Sequence, residues 1–407
     1  MTGVMGMQYI EGGVTAPQGY FATGVACGIK QNGEKDLAII CSEDVAATAG
    51  IFTTNKVKGH SLKLTMQRVR DNGYATAIII NSGNANACVG DQGDADAREI
   101  ASKTAELLDC RADEVLVAST GVIGVPLEMD KVLAGVEEAV SGMAADGGHD
   151  AELAIMTTDT VPKEVAVEID IQGERVVIGG MAKGSGMIHP NMATMIAVLT
   201  TDANISKKLL DKAMREVCAT TLNRVSVDGE TSVCDMAIIF ANGLADNPGI
   251  VKEDANYRYF CETLERVCLF LAKKLAADGE GATKLVEVQV NGAKSAEDAY
   301  KVCSCIAKSP LVKTAINGAS ANWGRIITAI GYSGADIDPA RIDIQINKIR
   351  VCRSGGAAIF DADKVAEQLE KDEIVISVHL NYGDFSDRIW TCDYSEEYIQ
   401  INGSYLS

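Results

Sequence analysis

Basic residues, histidine and aromatics are all scarce in this chain. Its 407 residues carry 37 Lys and Arg against 56 Asp and Glu, a formal charge of −19. Such acidity argues against nucleic acid or an anionic membrane as partner, and it means that any carboxylate-bearing ligand needs positive charge gathered locally. Histidine occurs only at His60, His149, His189 and His379, never two at metal-ligand spacing. A metal site is therefore not expected, and a His-dependent triad has little to draw on. The 12 cysteines include no Cys-x-x-Cys, which removes the zinc-ribbon and thioredoxin-like patterns and leaves reduced core thiols of a cytoplasmic protein as the expectation. No apolar run approaches the roughly 18 residues needed to cross a bilayer. The first 25 residues lack Lys and Arg, unlike a secretory leader.

What stands out is the stretch Lys183-Gly184-Ser185-Gly186-Met187-Ile188-His189-Pro190-Asn191-Met192-Ala193-Thr194-Met195-Ile196-Ala197-Val198-Leu199. Glycines, a proline and an asparagine make an irregular loop that runs straight into an apolar, β-branched segment reading as a buried strand. Thr194 sits at the junction. Spacing alone fits an ordinary loop-to-strand turn. It also fits a self-cleaving threonine hydrolase or transferase, in which breaking the Ala193–Thr194 bond frees an α-amine to act as base. That amine has a pKa of about 7.7–8.0, close enough to neutrality for the task. His189 is the one histidine near this chemistry, either as a base or as a residue that shapes the turn.

Further segments accompany the loop in order: Gly12-Gly13-Val14-Thr15-Ala16-Pro17, Gly50-Ile51-Phe52-Thr53-Thr54-Asn55, Asn81-Ser82-Gly83-Asn84-Ala85-Asn86-Ala87-Cys88, Ser119-Thr120-Gly121-Val122-Ile123-Gly124, Met156-Thr157-Thr158-Asp159-Thr160, Ser226-Val227-Asp228-Gly229 and Asn322-Trp323-Gly324-Arg325. Together with the Lys183–Met195 loop, this set resembles the glutamate N-acetyltransferase/ornithine acetyltransferase (ArgJ) family over nearly the whole chain, from about Gly12 to Ser407. The resemblance implies a layered αβ sandwich with central sheets between helices, cleaved by itself into chains 1–193 and 194–407 that stay together. A heterotetramer of two α and two β chains is implied as well.

The same resemblance implies roles. Thr194 becomes the nucleophile, with the cut between Ala193 and Thr194. Thr120 and Gly121 supply the oxyanion hole, and Thr157, Lys183, Thr194, Glu280, Asn402 and Ser407 bind substrate. Lys183 suits a carboxylate and Glu280 the ammonium of ornithine, although both residue types are more often solvated. The substrates implied are N-acetylornithine and glutamate, with no cofactor; acetyl-CoA stays open as a second acetyl donor. The alternative is a self-processing threonine aminopeptidase or amidase that passes the acyl group to water. A non-enzymatic protein whose glycine loop cradles a ligand predicts no cleavage. Departures from the family pattern fall at 56–60, 317–321, Thr391 and Ser407.

Periodicity predicts strands at 37–41, 76–81, 115–119, 165–171, 175–180 and 194–199, and amphipathic helices at 94–108, 132–143, 209–218 and 260–275. Strands clustered with helices argue for layered α/β packing. The stretch Ala144 to Glu152 reads as a linker, and so does the turn Gly331 to Pro339. Residues from about 336 to 407 read as a small αβ unit, with strands Ile342 to Ile349 and Ile374 to Leu380 flanking helix Val365 to Leu369.

Overall fold

A computed structural model describes residues 6–189 and 195–404. Nine described strands form the first sheet: β1 (Gln8–Ile10), β2 (Tyr20–Val25), β3 (Leu37–Phe52), β4 (Tyr74–Asn84), β5 (Val115–Val122), β6 (Glu164–Ile171), β7 (Glu174–Lys183), β8 (Ile196–Thr201) and β9 (Met236–Ala241). Its order is β1-β6-β7-β8-β9-β3-β4-β5, with β2 also on β3. β3 makes this one sheet into two layers. Its register breaks between Cys41 and Ala46; Leu37–Cys41 and, past the break, Ala46–Ala47 pair with β4, whereas Ala47–Phe52 pair with β9. A bulge of this kind bends the strand and adds twist.

Side-chain alternation shows the layering. Ile78 and Ile80 of β4 share a buried cluster with Ile196 and Val198 of β8, so the two halves of the sheet face each other. Ile79 points the other way, among Val132, Val136, Ile100 and Ala101, which belong to helices running Asp91–Leu108 and Met129–Ser141. Ala197 and Leu199 point outward on the opposite side, against Leu210, Met214, Phe260 and Leu264. Those residues lie on helices Lys207–Thr220 and Ala255–Ala277. The expected sandwich is present: helices, two sheet layers, helices. The longest of these helices begins where the Asp254 carboxylate accepts the amides of Asn256 and Tyr257, a strong N-cap.

Two expectations need correction. The stretch 144–152 is not a linker. Ala144 exchanges backbone hydrogen bonds with Ala22 (3.0 Å each), and a Cβ on Gly147 would sit 1.9 Å from the Ala22 carbonyl oxygen. Its glycines serve close approach, not freedom, and helix Gly148–Ile155 follows at once. Nor is Ile342 to Ile349 one strand. Asn347 and Lys348 adopt φ of 43° and 71°, making a hairpin between Asp343–Ile346 and Ile349–Arg353.

That hairpin lies in a second sheet of six described strands: β10 (Leu285–Ala293), β11 (Asp343–Ile346), β12 (Ile349–Arg353), β13 (Gly356–Ala357), β14 (Glu373–His379) and β15 (Phe385–Cys392), ordered β13-β12-β11-β14-β10-β15. The C-terminal αβ unit thus takes in β10, well before residue 336. β15 joins the units: Ile389 packs in the second core and Trp390 in the first.

Candidate active site

Three strand ends build the site. β7 ends at Lys183, which is paired with Ile196 at the start of β8, and Ile196 with Met236 at the start of β9. Across the sandwich, β5 runs to Thr120 and Gly121 beside Ser82 and Gly83 of β4. The Lys183 ammonium bridges the two layers, reaching Thr157 Oγ1 at 2.7 Å and Thr120 Oγ1 at 3.5 Å. Gly121 has φ +132°, and a Cβ there would come 2.3 Å from the Gly83 carbonyl carbon. No other residue type fits that position without moving β4.

Opposite Lys183 stands Glu280, on the turn after the helix Ala255–Ala277. Its amide donates to Ser185 O (2.9 Å), and its carboxylate accepts from Asn402 Nδ2 (2.7 Å). A Cβ on Gly186 would lie 2.3 Å from Glu280 Oε2, so glycine at 186 is what lets this carboxylate approach the loop. Asn402 belongs to the helix Glu396–Ser404. That helix is held to the 281 turn by Ser395 Oγ donating to Gly281 O (2.6 Å) and by the stacked rings of Tyr394 and Tyr398, 4.6 Å apart. Tyr398 and Ile401 are half-buried against the body, whereas Ile399 is exposed.

Thr120, Gly121, Thr157, Lys183, Glu280 and Asn402 therefore line one cleft. The fold brings these six predicted residues to one place. Ala193, Thr194 and Ser407 lie outside the described residues. His189 donates or accepts at Ser226 Oγ, 3.1 Å away, and does not line the cleft. The departure at Thr391 meets Lys313 Nζ at 2.9 Å, also away from the cleft.

Sequence reasoning missed the charges beneath. Asp159 is fully buried and takes the Thr157 and Gly184 amides (3.0 and 2.6 Å). Lys163, likewise buried, bridges Asp159 (2.7 Å) and Asp278 (2.6 Å). Burial alone would raise the Asp159 carboxyl, but the ammonium groups of Lys183 and Lys163 hold it well below the usual carboxylate range. Burial lowers Lys183, opposed by Asp159 and reinforced by Lys163. Asp159 stands in the Thr157-Thr158-Asp159-Thr160 motif, a usable signal; Lys163 has none. The wall of Ser232, Val233 and Cys234 was also missed, and burial keeps the Cys234 thiol protonated. Beneath it, Asp235 is buried, and desolvation drives its carboxyl far up against the opposing influence of Ser232, Lys183 and Thr53.

Burial, helped by Lys308, pushes His189 down to about 4. It is thus a neutral packing group near pH 7 and a weak base. Unfolded histidine takes its proton near pH 6.5, so stability falls as pH drops from about 6.5 to 4, where only the unfolded chain binds that proton. With His189 partly exposed, about 1–2 kcal/mol is involved. Urea melts at pH 7 and 4.5 check this. His189→Gln should lose less stability between the two values than the wild type; an equal loss refutes the assignment.

The ArgJ family model matches residues 21–407. The chain belongs to the ArgJ family. It is 48% identical over 401 residues to the arginine biosynthesis bifunctional protein ArgJ of Symbiobacterium thermophilum, spanning 98% of this chain and 100% of that one. The protein of the same name from Caldanaerobacter subterraneus subsp. tengcongensis is 48% identical over 403 residues, again 98% and 100%. Among solved structures, ornithine acetyltransferase of Mycobacterium tuberculosis, complexed with ornithine, is similar at TM-score 0.43 and 45% identity, over 45% of this chain and 98% of that one.

Proposed function

We propose that this chain is an acetyltransferase of arginine biosynthesis that moves acetyl from N-acetylornithine to glutamate through an acetyl-threonine at Thr194. The observation that carries this reading is one cleft presenting a buried ammonium at Lys183, a carboxylate at Glu280 and the Thr120–Gly121 turn, at the end of the strand that leads into the Thr194 loop. An amino acid offers a carboxylate and one or two ammonium groups, and the cleft offers the complement of each. Family membership and relatives named for arginine biosynthesis support the same substrates.

Maturation comes first. The Thr194 hydroxyl adds to the Ala193 carbonyl carbon, the C–N bond breaks, and the ester that forms is hydrolysed by water. This leaves a carboxylate on Ala193 and a free α-amine on Thr194. In turnover that amine takes the hydroxyl proton as Oγ bonds to the acetyl carbon. The bond to the ornithine nitrogen then breaks, and the proton passes to the departing amine. Glutamate runs the same steps in reverse. Each tetrahedral stage carries a negative oxygen, for which Thr120 Oγ1 and the Gly121 amide are the donors; loss of one such donor raises the barrier by about 2.7–4 kcal/mol. The two pieces stay associated, two copies of each forming a heterotetramer in the cytoplasm. Among the described residues no helix is long and apolar enough to cross a membrane.

Intact mass of the purified wild type, together with an assay for N-acetylglutamate from N-acetylornithine and glutamate, tests the proposal. Two chains and glutamate-dependent product are expected; free acetate alone would mean a hydrolase. Glu280→Gln tests the ammonium site. It should raise KM for N-acetylornithine about 10- to 100-fold, the range of a charged hydrogen bond. It should not raise KM for glutamate, whose side chain bears the opposite charge. An equal rise for both would remove Glu280 from ornithine recognition.

A further inference from the structure

An ionic chain runs beneath the cleft and joins its two charged ends. Lys183 lies 3.8 Å from Asp159, Asp159 lies 2.7 Å from Lys163, and Lys163 lies 2.6 Å from Asp278. Two residues beyond Asp278 is Glu280. The side chains of Asp159 and Lys163 have no exposure at all, and that of Asp278 has 5%.

Each link is fixed more than once. Asp159 also holds the amides of Thr157 and Gly184. Lys163 gives its remaining proton to Val161 O at 3.2 Å, while its own amide donates to Glu152 at 2.8 Å. Asp278 accepts the Thr160 amide at 3.1 Å, and its carbonyl accepts from Ser185 Oγ at 2.6 Å. Ser185 in turn takes the Glu280 amide. The turn 278–280 therefore has one position relative to Lys183, and Lys163 is the strut between the two sides.

Stability alone does not explain such an arrangement, because an apolar replacement of a buried ionic group is often as stable or more so. Rigid charges add a fixed distance. Resting on the acetyl-transfer reading above, we propose that Lys163 is a positioning residue: through Asp159 and Asp278 it sets the separation between Lys183 and Glu280. It thereby sets the chain length of the α,ω-diamino acid that the cleft accepts. With the carboxylate at Lys183 and the far ammonium at Glu280, ornithine spans the gap, and lysine, longer by one methylene, does not. Discrimination by a single methylene is worth about 10- to 200-fold.

The test is the ratio of kcat/KM for N2-acetylornithine to that for N2-acetyllysine, measured on full-length protein bearing Lys163→Arg, Lys163→Met or Asp278→Asn, alongside the wild type. Thermal melts of the same samples report folding. Lys163→Arg keeps the charge but puts a wider, planar group between the two carboxylates. The ratio should fall at least fivefold in Lys163→Arg and in Asp278→Asn, with the change carried by KM more than kcat. A ratio within twofold of wild type in folded variants, whatever their melting temperatures, would make Lys163 a purely structural group. Loss of soluble protein in all three variants would overturn the proposal in the same way. Wild type that transfers no acetyl group sinks the functional reading instead, a separate result.

Discussion

Thr194→Ala gives a single uncut chain and an acetyl-transfer rate at least about 10⁴-fold below wild type, the scale on which enzymes lose activity when a covalent nucleophile is deleted. The reasoning is chemical. Alanine has no oxygen to attack the Ala193 carbonyl, so no amine is freed, and it has none to carry acetyl. Both losses come from one atom. Thr194→Ser restores the atom without the methyl group and should cut and turn over, more slowly. Intact mass together with the N-acetylglutamate assay reads all three proteins. If Thr194→Ala were cut, or transferred acetyl within tenfold of wild type, the covalent route would be wrong.

Lys183→Met has the next largest effect. The Lys183 side chain is 2% exposed, so a substrate carboxylate that meets its ammonium is paired away from water, where truncating one partner of a charge pair commonly costs about 2–5 kcal/mol of binding. We expect kcat/KM to fall by about 10²- to 10³-fold for N-acetylornithine and for glutamate alike, since both bring an α-carboxylate. Stability should change far less. Burial already weakens the charged form of Lys183, and Asp159 keeps Lys163 and two backbone amides. Steady-state kinetics with each substrate and a urea melt distinguish the two effects. A KM change below threefold for both substrates would place the carboxylate elsewhere.

How much of this was legible in the sequence depends on the kind of signal. Mostly apolar runs located six of the nine described strands of the first sheet, because a strand buried on two faces reads as a continuous apolar run. The stripe Phe260, Leu264, Val267, Leu271 and Leu275 located the helix against them, and all five are buried. The family resemblance pointed to six cleft residues; without it, Thr-Gly at a strand end and Gly-Ser-Gly before a strand read as ordinary turns. Three things stayed hidden. Gly147 looked like a flexible joint because close backbone approach and freedom call for the same residue. The Asn347-Lys348 turn sat inside an apolar run that reads equally as one strand. Lys163 belongs to no motif, and its partner Asp278 is 115 positions away, so only the folded chain brings them together.

The order β7-β8-β9-β3 bears on how the two pieces of the proposed cleavage would hold together. β8 and β9 follow residue 194, whereas β7 and β3 precede it, and both outer strands are bonded to that inner pair over six residues each. The later piece thus contributes a two-stranded ribbon gripped on both flanks by the earlier one. Apart from the earlier piece that ribbon would keep its own helices on one face but expose both flanks, and the earlier piece without it would show two raw edges open to promiscuous pairing. Scission at the proposed Ala193–Thr194 bond would therefore make two termini without making two proteins.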